Sequence, residues 1–148
     1  MKKKAFSFPL LFILLFTITG FKPVDGFKLK VKIYNLHSSQ GQVIVMLYNK
    51  EGTIPDKNFS KFYKRKITTI SDQTAYVEFE NLPPGRYAVN FFHDENANGK
   101  LDKRFIKPKE GFGLTRFQSV NFFNKPNFKK AAFNLKHDTL VQIKTIYL

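Results

Sequence analysis

Between residues 27 and 33 the apolar side chains Phe27, Leu29, Val31 and Ile33 alternate with Lys28, Lys30 and Lys32. A period of two is the pattern of a strand with one face in a core and the other in water, and a helix cannot sort these side chains that way. The stretch "QVIVMLYN" at 42–49 is β-branched and apolar throughout, which predicts a central strand. "SSQG" ahead of it supplies a turn, so these first two strands are expected to pair as a hairpin. Residues 64–70 and 74–80 read as strands about "SDQ", with Ala75, Val77 and Phe79 alternating against Tyr76, Glu78 and Glu80. In "NLPPGRYAVNFFHD" a Pro-Pro-Gly hairpin turn leads straight into a strand over 86–92, since proline fixes φ and glycine permits positive φ. "NFKKAAFNL" and "TLVQIKTIYL" predict the last two strands, with His137 and Asp138 turning between them. The segments 50–66 and 106–117 lack a period and carry Gly and Pro, so both are expected to be irregular. Phe59, Phe62 and Tyr63 in the first of them should fold back onto the core. About seven short strands, with no amphipathic helix after residue 26, predict an all-β fold: an antiparallel β-sandwich, immunoglobulin-like or transthyretin-like.

The N-terminus is a different kind of segment. Lys2, Lys3 and Lys4 precede "AFSFPLLFILLFTIT", a charged head and an apolar core too short for a membrane span, which needs about 20 residues. This predicts a secretory signal over 1–26, cleaved after Gly26, with Thr19 or Gly20 as alternative ends. One β-sandwich domain over 27–148 follows, of a length that buries a core without covalent staples. There is no cysteine, which excludes disulfides, thiolate metal sites and a lipid on an N-terminal Cys. The 25 Lys and Arg outnumber 11 Asp and Glu. Removing 1–26 takes away four lysines and one aspartate, leaving an excess of 11 positive charges. Such a charge favours encounters with anionic lipid, polysaccharide or nucleic acid, and it equally suits nothing more than solubility, since the lysines are evenly dispersed.

Against that background the loop "HDENANGKLD" at 93–102 is acidic. Oxygen-bearing side chains fall at every second position, as in a calcium loop with ligands at positions 1, 3, 5, 7 and 9 and glycine at 6. Counting Asp94 as 1 places Asn96 at 3, Asn98 at 5, Gly99 at 6, the Lys100 carbonyl at 7 and Asp102 at 9. Position 12 is Phe105 rather than a bidentate glutamate, so calcium, if held, is held weakly. The same residues also suit an ion-free turn, because Asp and Asn cap their own backbone and glycine completes the apex. The three histidines, His37, His93 and His137, have no zinc spacing, and no Ser or Cys motif nominates a nucleophile. The 13 phenylalanines after residue 26 fall at alternating strand positions or in pairs, as core residues do.

Four segments in order carry a resemblance. They are Leu-Pro-x-Gly-x-Tyr-Ala at 82–88, His-Asp-x-Asn-x-Asn-Gly-x-Leu-Asp at 93–102, Pro-x-Glu-Gly-Phe-Gly at 108–113 and Pro-x-Phe-x-x-Ala-x-Phe at 126–133. With these the chain resembles the exported bacterial family known as domain of unknown function 2141. The resemblance implies a signal-bearing, periplasmic or secreted β-sandwich and brings no established activity.

The expected function is that of an exported, non-enzymatic binding, adhesion or envelope-accessory module. Its 94–102 loop would be a hydrogen-bonded or calcium-stabilised tip, and its cations would face an anionic envelope or extracellular polymer. Two alternatives stand beside it. One is an enzyme on an envelope polymer with His93 and Asp94 or Asp102 as acid and base; the other is a basic module for lipopolysaccharide or nucleic acid.

Overall fold

The computed structural model describes residues 26–148 apart from Ile106 and Phe122, so the predicted signal over 1–26 lies, but for Gly26, outside the described residues. Among the described residues eleven strands and one helical turn form an all-β sandwich. The first sheet has the order β11 (Thr139–Lys144), β1 (Phe27–Tyr34), β5 (Thr74–Leu82) and β4 (Ile70–Ser71). The second has the order β10 (Phe133–Leu135), β6 (Gly85–Asp94), β2 (Gln42–Tyr48) and β3 (Lys64–Thr68), with β9 (Phe112–Leu114) also paired to β6. A separate small hairpin joins β7 (Lys103–Arg104) to β8 (Lys107–Pro108). All ladders are antiparallel except β1 with β11.

Between the sheets lie Leu29, Val31 and Ile33 of β1, Val43, Val45 and Leu47 of β2, Phe79 of β5, and Val89 and Phe91 of β6. A second apolar cluster covers the other face of the second sheet: Ile44, Met46, Tyr48, Ala88 and Phe92 pack beneath Ile54, Phe117, Phe128 and Ala131. The second sheet is therefore buried on both faces, which is why β2 is apolar at consecutive positions while β1 alternates.

That difference overturns the expected hairpin between the first two strands. β1 pairs with β5 and β11, whereas β2 pairs with β3 and β6. A strand with one lysine-studded face suits the first sheet, whose outer face is open to water, and not a central place in the second, where the basic strand β3 sits at the edge. The chain crosses between the sheets again from β3 to β4, so 64–70 is two strands rather than one, and from β10 to β11 at the His137–Asp138 turn. The β4–β5 hairpin does turn at Asp72 and Gln73, both with positive φ (48° and 56°), as a tight hairpin requires. Pro83 and Pro84 likewise make a corner from one sheet to the other, not a hairpin. Tyr87 locks it by donating its hydroxyl to the Pro83 carbonyl at 2.9 Å.

Two further expectations change. Part of 127–135 is a helical turn, α1 (Phe128–Ala131), capped by Asn127, whose side chain accepts from Lys130 N at 2.9 Å. Phe128 and Ala131, three apart, put their side chains into the second cluster. The segment 106–117, expected to be irregular, supplies β8 and β9. Phe59 and Phe62 pack on the core as predicted, but Tyr63 is 42% exposed.

Candidate functional site

β6 carries the chain out of the core as far as Asp94, which pairs in register with Gln42 at the start of β2. The Asp94 side chain is wholly buried. Its Oδ2 accepts from Gln42 Nε2 and from Gly99 N, each at 2.8 Å, and its Oδ1 accepts from Asn98 N at 2.9 Å. The chain wraps around this carboxylate with Ala97 and Gly99 at positive φ (56° and 78°). Asn96 Oδ1 accepts from Asn98 N at 3.1 Å, and Asn98 Oδ1 from Lys100 N at 2.8 Å. On the far limb the Asp102 carboxylate accepts from Asn96 Nδ2 at 2.8 Å and Asn98 Nδ2 at 3.1 Å.

Glu110 closes the structure. Nearly buried, it accepts from Glu95 N at 3.0 Å through one oxygen and from Asp102 N at 2.8 Å through the other, clamping both ends of the loop. The acidic island in a basic chain thus has a local cause. A loop leaving the sheet strands its backbone N–H groups, and ionised carboxylates are the strongest acceptors available to them.

Asp94, Asn96, Asn98, Lys100 and Asp102, the residues assigned to calcium by spacing, are thus gathered in one loop, but as hydrogen-bonded here they do not fit a calcium cage. Both Asp94 oxygens take N–H donors, and the Asn96 and Asn98 carbonyl oxygens are turned onto backbone amides. The amide nitrogens of those asparagines, not their oxygens, face Asp102. Six to eight converging oxygens would require both amides to turn over. Among the described residues no three His, Cys, Asp or Glu side chains converge on a point.

His93 is buried too. Its Nε2 lies 2.8 Å from the Gln40 carbonyl and its Nδ1 3.1 Å from the Tyr147 hydroxyl. A carbonyl can only accept, so Nε2 carries the proton, and in the neutral ring Nδ1 accepts from Tyr147. The Tyr147 oxygen accepts from His37 N at 2.9 Å, and its ring stacks on His37 at 3.3 Å between centroids. Burial above all pushes the Tyr147 hydroxyl up from the ordinary phenol value. His93 therefore ties the 37–40 turn and the C-terminal segment to β6, with no nitrogen turned to solvent. Of the suggested acid–base pair, His93 offers no open base and Asp94 no open carboxylate, while the partly exposed Asp102 is held by the Asn96 and Asn98 side chains.

Glu95 apart, the exposed charges around the loop are positive. The β7–β8 hairpin carries exposed Lys103, Arg104 and Lys107, with Lys109 just beyond it. At its turn Phe105 is 92% exposed and holds positive φ (58°). A bulky side chain in that conformation costs on the order of 1 kcal/mol, where Asn or Gly would cost little. Beside the hairpin, a cavity of about 260 Å³ opens over Ile44 and Phe92 of the second sheet. Lys57, Arg65, Lys100 and Lys103 stand around it. The 103–109 cluster went unnoticed in the sequence, although "KRFIKPK" interleaves cations with apolar residues; the cavity joins segments far apart in sequence and leaves no local signal.

The family model described as an uncharacterised protein conserved in bacteria, DUF2141, matches residues 31–143. No curated protein and no solved structure matches the chain.

Proposed function

We propose, for a chain that belongs to this uncharacterised bacterial family, the role of an exported, non-enzymatic module that docks on an anionic lipid surface through its 103–109 hairpin. The observation that carries this reading is Phe105, 92% exposed at a strained turn and set among Lys103, Arg104, Lys107 and Lys109. An aromatic side chain seats at the boundary of headgroups and acyl chains, and each nearby cation adds about 1 kcal/mol of attraction to an anionic leaflet. The loop behind the hairpin supplies a rigid base, since Glu110 and Asp102 fix its root. Export rests on the charged and apolar N-terminal segment. Among the described residues no helix is long and apolar enough to cross a membrane.

Co-sedimentation with phosphatidylglycerol or phosphatidylcholine vesicles tests this. Binding should be confined to the anionic vesicles, fall steeply with salt, and be lost in Phe105→Ser but kept in Phe123→Ser, at a phenylalanine that is 91% exposed. Equal binding to both vesicle types, or an effect of Phe123→Ser alone, contradicts it. Capture by an acidic polysaccharide with Phe105→Ser unaffected would replace the lipid with a polymer.

A further inference from the structure

We propose that the cavity between the 57–59 turn and the 99–103 segment binds a phosphate monoester carrying a small apolar group. Its four cations come from separate elements: Lys57 from the loop before β3, Arg65 from β3, Lys100 from the acidic loop and Lys103 from β7. Among the described residues none of them lies in an ion pair. The contrast is with the outer face of the first sheet, where Lys28 and Lys30 stand 3.2–3.5 Å from Glu78 and Glu80. The carboxylates that might have balanced the cavity are committed elsewhere. Asp94 and Glu110 bind backbone amides, and Asp102 holds the Asn96 and Asn98 side chains.

Four uncompensated cations around one concavity repel one another, and an anion placed among them relieves that repulsion. A carboxylate would balance one. A phosphate monoester carries about −1.5 to −2 charges and three acceptor oxygens, which suits several ammonium groups and the fork of Arg65. Half-buried Phe59 and Leu101 give the walls apolar contact, and a cavity of about 260 Å³ is larger than a phosphate group requires. The remaining space takes a ring or a short aliphatic chain.

The site shares Lys103 with the hairpin of the lipid reading, but Phe105 does not line the cavity, and Lys57 and Arg65, which are varied in the test, lie outside the hairpin. The test is calorimetric titration of protein expressed from the full chain and purified as the cell delivers it. The probes are phenyl phosphate, inorganic phosphate and phenol. Phenyl phosphate should bind one site, about tenfold tighter than inorganic phosphate, with no heat from phenol. Arg65→Glu and Lys57→Glu should each weaken phenyl phosphate about tenfold while vesicle binding persists, and Lys136→Glu, outside the cavity, should leave it unchanged. A melting curve verifies that each variant folds; if Arg65→Glu does not, Lys57→Glu decides. The proposal is overturned by absence of saturable binding, by inorganic phosphate binding as tightly as its ester, or by an equal loss in Lys136→Glu. Loss of vesicle binding alone, with phenyl phosphate still bound, overturns the lipid reading and not this one.

Discussion

Replacing Asp94 by alanine removes the acceptor around which the acidic loop is wound. Three donors lose their partner: Gln42 Nε2, Asn98 N and Gly99 N, all within 2.9 Å of the carboxylate. Hydrogen bonds to a charged group contribute about 1.5–3 kcal/mol each, but two effects reduce the sum. Asn98 and Gly99 are exposed, so their amides regain water when the loop opens, and the variant no longer has to desolvate a carboxylate. The net loss expected is about 3 kcal/mol, or roughly 10 °C in melting temperature for a domain of this size. Urea denaturation followed by circular dichroism measures the first and a thermal melt the second. Hydrogen exchange should show protection lost first at the Asn98 and Gly99 amides. A stability within about 0.5 kcal/mol of the parent would refute the claim that the acids exist to hold the backbone.

Gly41→Ala should be at least as harmful, by about 3 kcal/mol, because Gly41 has φ of 72° and a Cβ there runs into the Asp94 carbonyl; a urea melt unchanged within error contradicts this packing. At alkaline pH the buried tyrosines report on the core. Burial, first among the causes, raises the hydroxyls of Tyr48, Tyr87 and Tyr147 above the ordinary value of 10.0. The unfolded chain therefore releases these protons first. The stability they contribute is fully present below about pH 10 and falls as the pH rises through the folded values. Tyrosinate absorbance should have a higher midpoint in the native protein than in urea, and equal midpoints would refute it. Calcium at about 10 mM should leave the melting temperature unchanged, since a ligand must bind the folded state to stabilise it. A clear rise would show that Asn96 and Asn98 turn their oxygens to an ion.

Much of the fold was legible because period and burial speak locally. The lysine alternation of β1 and the continuous apolar run of β2 each marked a strand, but the difference between them, one strand from a half-exposed sheet and one from a buried sheet, was not read from it, and the two were expected to pair. Partnership was not legible. Turn residues such as "SSQG", Pro83-Pro84 and His137-Asp138 mark where the chain reverses but not whether it returns to the same sheet, and three expected hairpin or turn connections are crossings between sheets. α1 was missed because a single helical turn, "FKKA", has too few residues for a period to emerge. The 93–102 loop was located in the sequence, and its two readings differ only in where side-chain oxygens point. Glu110, eight residues beyond Asp102, is the clamp that spacing alone did not single out.

The carboxylates build a frame, and on the proposed reading Phe105, among the hairpin cations, meets a lipid surface. Because the chain has no cysteine, Arg104→Cys creates a unique site for an environment-sensitive fluorophore next to Phe105, which stays in place. With phosphatidylglycerol vesicles its emission should shift to the blue and become shielded from an aqueous quencher, and neither change should occur with phosphatidylcholine. A label that stays fully quenchable while the protein is bound to anionic vesicles would show that the hairpin does not enter the lipid surface.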